Sequence, residues 1–241
     1  MTTLFCFPYA GGSARLFHGW EDRLPDSVRV VALELPGRGL RFSEPPMVHL
    51  DPLLDDLLGS SHLSRLDGPF ALFGYSFGAL LAFELARRLE RDRGAVPECL
   101  MVAAFRAPDS PVRPDAASFL PDDQFRERLA ELNGTPRELL DNPDLMDLML
   151  PVIKADFWVA DTYVFADGPP LSCPIAAFGS ADDPEAPLVD LAGWGRHTSA
   201  GFTCRQFPGD HFFIHSARDE LLAVVAAELC AQSIKPGGNG S

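Results

Sequence analysis

Residues 71–90 read ALFGYSFGALLAFELARRLE. An apolar, β-rich run over 70–75 gives way abruptly to a helical pattern over 77–91, and Ser76 sits at the junction between Gly74 and Gly78. A strand that turns straight into a helix forces the residue at the bend into a strained backbone conformation, and flanking glycines remove the Cβ clashes of such a bend. Gly78 and Ala82 fall one helical turn apart, so the helix can pack closely on a sheet. Ser76 is thereby projected from the carboxyl end of its strand, where open α/β sheets place their sites. The G-x-S-x-G string alone says little; its setting between strand and helix carries the reading.

The same alternation continues outward in both directions. Strands are predicted at 4–9, 28–35, 70–75, 100–104, 174–178 and 203–207, and helices at 52–63, 77–91, 122–132, 143–164, 188–197 and 217–232. Strands alternating with helices imply a mostly parallel central sheet covered by helices on both faces. The rhythm breaks from about 110 to 171, where no strand pattern appears and Met, Leu, Phe and Trp recur at helical spacing over 145–163. This is expected to be a helical lid insertion between two sheet strands, with Pro151 kinking or dividing it. The tail over 235–241, KPGGNGS, is expected to be mobile.

A serine hydroxyl is a poor nucleophile until a base takes its proton. Of six histidines, His211 stands in the loop FPGDHFF (207–213), after the last predicted strand and before the last helix, and is the candidate base; His215 is the alternative. A carboxylate must in turn hold the imidazole in the correct tautomer. The stretch FGSADDP (178–184) ends the preceding strand and offers two, Asp183 and, as the alternative, Asp182. The oxyanion of acyl transfer needs backbone N–H donors. Phe77, opening the helix, and Ala10, in the glycine-bearing loop FPYAGGS (7–13), are the expected pair. No G-x-G-x-x-G or Walker lysine follows that loop, which argues against nucleotide binding.

Composition sets the outer limits. The 241 residues, 46% of them hydrophobic, suffice for one α/β domain with a sizeable core. A formal charge of −14 argues against nucleic-acid binding, which needs a basic footprint, and against adhesion to anionic lipid. No long charge-free apolar stretch occurs and no basic segment leads into an apolar one, so neither a membrane span nor a signal peptide is expected. Five cysteines, odd in number and widely spaced, suggest neither a disulfide framework nor a zinc site. A reducing, cytoplasmic setting is expected, with no metal or dissociable cofactor required.

The chain resembles the stand-alone type II thioesterases that serve polyketide synthases and nonribosomal peptide synthetases. The matching stretches are FPYAGGSA (7–14), ELPGRGLRFSEP (34–45), GYSFGALLAFELA (74–86), the DDP of 182–184 and GDHFF (209–213), in the family's order. The resemblance implies an α/β-hydrolase fold in a single domain over 1–241. It implies Ser76, Asp183 and His211 as catalytic residues, the acid standing directly before the proline as in the family. It further implies an acyl channel beneath the lid, entered by the phosphopantetheine arm of an acyl or peptidyl carrier protein, with Tyr9, Tyr75 and Phe105 touching substrate.

One departure stands out. Many relatives carry a Ser-Gly pair before an Arg-Ala-Pro element, where this chain has Ala103-Ala104-Phe105-Arg106-Ala107-Pro108. Arg38 and Arg41 of PGRGLR, with Arg15, form the best local basic patch and are expected to meet an acidic carrier or its phosphate. The rival readings are a carboxylesterase or lipase for small free esters, an acyltransferase, and a non-catalytic interaction module.

Overall fold

The computed structural model describes residues 1–64, 66–111, 116–132 and 141–233. Its sheet contains β1 (Thr2–Phe7), β2 (Val28–Ala32), β3 (Phe70–Tyr75), β4 (Leu100–Ala103), β5 (Ile175–Ser180) and β6 (Phe202–Phe207). The strands lie in the order β2-β1-β3-β4-β5-β6, and every neighbouring pair is parallel. Strand β1 ends two residues earlier than the apolar run suggests, because Pro8 has no N–H to give to a ladder.

Parallel strands buried on both faces read as unbroken apolar runs, and alternation sorts their side chains between two cores. Phe5 and Phe7 of β1, with Leu72 of β3, pack on one face with helices α1 (Leu50–Gly59) and α2 (Phe77–Arg93). Leu4, Cys6, Ala71, Phe73 and Tyr75 face the other way, onto Leu221, Leu222 and Val225 of the final helix, Arg218–Ser233. All five cysteines are free thiols. No described helix is long and apolar enough to cross a membrane.

Between β4 and β5 lie helices α3 (Asp122–Glu131) and α4 (Pro143–Asp161), which share a small core of Phe125, Leu129, Met146, Leu150 and Ile153. The Asn142 side chain caps α4 by accepting from the Leu145 N–H at 3.1 Å. The helix runs through Pro151 as one element, so this proline does not divide it. Losing one backbone donor is offset by burial of Leu150, Val152 and Ile153 on either side. The predicted helix over 188–197 is instead a short α turn, Leu188–Leu191, followed by a 3₁₀ run, Ala192–His197, in which two glycines weaken helix propensity. The tail over 235–241 lies outside the described residues.

The β3-to-α2 bend is built on absent side chains. A Cβ on Gly78 would stand 2.2 Å from the Phe7 carbonyl oxygen, and one on Gly74 would stand 2.1 Å from the Gly78 carbonyl oxygen. Both obstacles are backbone and cannot swing aside. Gly78→Ala is therefore expected to lower stability by about 3 kcal/mol, the upper part of the usual overpacking range. For a chain of this size that corresponds to a melting temperature lower by roughly 6–12 °C. Differential scanning calorimetry checks it, and an unchanged melt would refute the close approach.

Candidate active site

Ser76 has φ 52° and ψ −120°, a left-handed conformation that costs a non-glycine residue roughly 1–3 kcal/mol. Two hydrogen bonds hold it there. Its N–H donates to Ala103 O at 2.7 Å, and its carbonyl accepts from the Ala79 N–H at 2.8 Å. The strain directs the hydroxyl away from the sheet and toward His211, whose Nε2 lies 3.1 Å from Ser76 Oγ. On the other side of the ring, Nδ1 lies 2.8 Å from Asp183 Oδ2.

The carboxylate is fixed by its own loop. Asp183 is 3% exposed, and its Oδ1 accepts N–H bonds from Glu185 at 2.8 Å and Ala186 at 3.2 Å. A carboxylate facing Nδ1 requires the proton there, which leaves Nε2 free to accept from the serine hydroxyl. Asp182 points to solvent. His215 is exposed and stands beside the Tyr9 hydroxyl, 3.3 Å from Nε2, rather than beside Ser76.

Ser76 and His211 open into a cavity of about 120 Å³, with Tyr9, Ala10, Phe77 and Phe105 also on its wall. The N–H groups of Ala10 and Phe77 donate to no acceptor among the described residues. They are free to meet an oxyanion near the serine. The insertion supplies much of the apolar wall through Leu129 of α3 and Ile153, Phe157 and Ala160 of α4. Sequence reasoning did not name these residues, although the i, i+4, i+7 spacing of the last three marked a common helix face.

Ala104, at the wall beside Phe105, also has φ 52°. It falls within the stretch that departs from the family's Ser-Gly pattern, and it takes a conformation that favours glycine.

Two expectations are corrected by the structure. Tyr75 does not touch the cavity: it is fully buried in the core on the far side of the sheet from α1 and α2. Its hydroxyl donates to His211 O at 2.6 Å and accepts from the Ile214 N–H at 3.2 Å, so it supports the histidine loop from behind. Burial pushes its phenol well above the ordinary pKa, which keeps it a neutral donor. Arg38 is not a surface cation either. It is 2% exposed and forms a bidentate ion pair with buried Asp156 of α4. Arg41 is bound to Asp56 and Glu44, while Arg15 is exposed.

A parallel sheet with a left-handed serine at a strand-to-helix bend, a histidine after the last strand and an acid after the strand before it defines an α/β-hydrolase. The thioesterase-domain family model matches residues 2–229, and the chain belongs to that family. It is 38% identical over 229 residues to the linear gramicidin dehydrogenase LgrE of Brevibacillus parabrevis, spanning 94% of this chain and 87% of that relative. Among solved structures, it is similar to the RedJ thioesterase of the prodiginine pathway in Streptomyces coelicolor. That match has TM-score 0.87 and 40% identity, covering 94% of this chain and 85% of RedJ. It is also similar to the type II thioesterase BorB from the borrelidin cluster, with TM-score 0.86 and 37% identity, covering 95% and 92%. The protein is a thioester hydrolase of the type II thioesterase kind.

Proposed function

We propose that this enzyme removes aberrant or stalled acyl groups from the phosphopantetheine arm of acyl or peptidyl carrier proteins, restoring the free thiol. The observation that carries the proposal is the hydrogen-bonded line Ser76–His211–Asp183, at 3.1 and 2.8 Å, opening onto an apolar cavity. Helices α3 and α4, within the insertion expected over about 110–171, wall the cavity and act as its lid in this reading.

Ser76 Oγ attacks the thioester carbonyl as His211 Nε2 takes the hydroxyl proton. The carbonyl oxygen becomes an oxyanion held by the N–H groups of Ala10 and Phe77. Collapse breaks the C–S bond, and the imidazolium returns its proton to the departing thiolate. Water, deprotonated by the same nitrogen, then attacks the acyl-serine, and the acid leaves as Ser76 regains its proton. Asp183 stabilises the imidazolium in both half-reactions.

Because Arg38 is internal and Arg41 is already paired with two carboxylates, Arg15 is the cation of the expected patch that best suits an acidic carrier. A carrier contributes binding energy away from the reacting bond, and such energy raises turnover when it is expressed in the transition state. The carrier thioester is therefore expected to exceed a small oxygen ester of the same acyl group in kcat/KM by about 10²-fold. Mass spectrometry of a panel of acylated carriers, run beside the oxygen esters, checks this. Equal rates, or a preference for the ester, would favour a carboxylesterase instead.

A further inference from the structure

Helix α4 carries a carboxylate that the proposed chemistry does not use. Asp156 is 2% exposed, and its Oδ2 accepts the Gly11 N–H at 2.8 Å. Both of its oxygens are bound by the Arg38 guanidinium, Oδ1 from Nη2 at 2.8 Å and Oδ2 from Nη1. Arg38 also donates to Pro36 O at 3.3 Å and to Gly12 O at 3.5 Å.

These contacts converge on the turn that presents Ala10. The Gly12 N–H donates to Tyr9 O at 2.8 Å, closing a four-residue turn with Ala10 and Gly11 at its centre. Gly11 has φ +74°, and a Cβ there would lie 2.6 Å from Cγ1 of Ile153, three residues before Asp156 on the same face of α4. The turn is thus held by its Gly11 N–H, by its Gly12 carbonyl and by packing against the helix.

Stability alone is a poor reason for this arrangement. Well-packed apolar residues of similar volume often replace a buried ion pair with no loss of stability. What apolar residues cannot supply is an acceptor for the Gly11 N–H. We infer that Asp156 is a positioning residue: clamped by Arg38, it fixes the turn so that the Ala10 N–H points at the oxyanion formed on Ser76. The inference rests on the proposed role of Ala10 as an oxyanion donor.

The test compares two charge-neutral pairs, Arg38→Met/Asp156→Leu, which removes the acceptor, and Arg38→Met/Asp156→Asn, which keeps one. A loop displacement of about 1 Å costs roughly 10²-fold in rate. The Leu pair is expected to lose about 10²-fold in kcat with KM changed less than about threefold and a melting temperature close to that of the unmodified enzyme. The Asn pair is expected to recover at least about tenfold of that loss. A fully active Leu pair, or two pairs equal in kcat, would overturn the inference. If the Leu pair shows no cooperative melt, the Asn pair decides alone: kcat within about tenfold of the unmodified enzyme sustains the inference, and a greater loss overturns it. Ser76→Ala is assayed alongside. If that variant is inactive while the Leu pair is fully active, only the positioning role falls. If Ser76→Ala is itself active, the proposed mechanism falls.

Discussion

Ser76→Ala is expected to reduce kcat by about 10⁶-fold while leaving the fold intact. The size follows from chemistry: without Oγ no acyl-enzyme can form, and only the oxyanion donors and substrate binding remain to help water. The fold should survive because the hydroxyl's one described partner is His211, and alanine tolerates the left-handed backbone no worse than serine does. The Ser76 N–H and carbonyl bonds to Ala103 and Ala79 are unaffected by the change. Single-turnover kinetics and a thermal melt, measured on one preparation, check both halves. Activity within 10²-fold of the unmodified enzyme would remove Ser76 from the mechanism.

Asp183→Asn is the second large effect, with an expected loss of about 10⁴-fold in kcat. An asparagine can turn its NH₂ toward Nδ1, which moves the imidazole proton to Nε2. That nitrogen then faces Ser76 as a donor and cannot accept the hydroxyl proton. Asp182→Asn, assayed in parallel, is expected to leave kcat within about twofold, since an exposed surface substitution usually has little effect. A larger loss at Asp182 would reverse the assignment.

The core of the fold was legible because parallel strands buried on both faces leave long apolar runs, as at Phe70–Tyr75, that stop abruptly at turns. The placement of Ser76 was legible for a local reason: Gly74, Ser76, Gly78 and the following helix all describe one bend. Tyr75 was misplaced although its position could be read. Ala71, Phe73 and Tyr75 alternate along one strand, so all three belong to the face covered by the final helix.

Arg38 was harder to read. Its counter-ion, Asp156, lies 118 residues away on a helix. In the sequence an arginine between glycines reads as a surface cation, and nothing near Arg38 names a partner so distant. Only the tertiary meeting of the loop and α4 buries both. The apolar wall from Ile153, Phe157 and Ala160 was visible as periodicity, but periodicity cannot tell a cavity lining from ordinary core.

The central claim is that an acyl group passes from the carrier thiol to Ser76 before water takes it. Rapid-quench mass spectrometry of the enzyme mixed with an acylated carrier tests this most directly. The account predicts an adduct of one acyl group, mapped to the peptide containing Ser76, that forms as the free carrier thiol appears and then decays to the carboxylic acid. An adduct on any other residue, or a carrier that keeps its acyl group while a simple oxygen ester is cleaved, would contradict it.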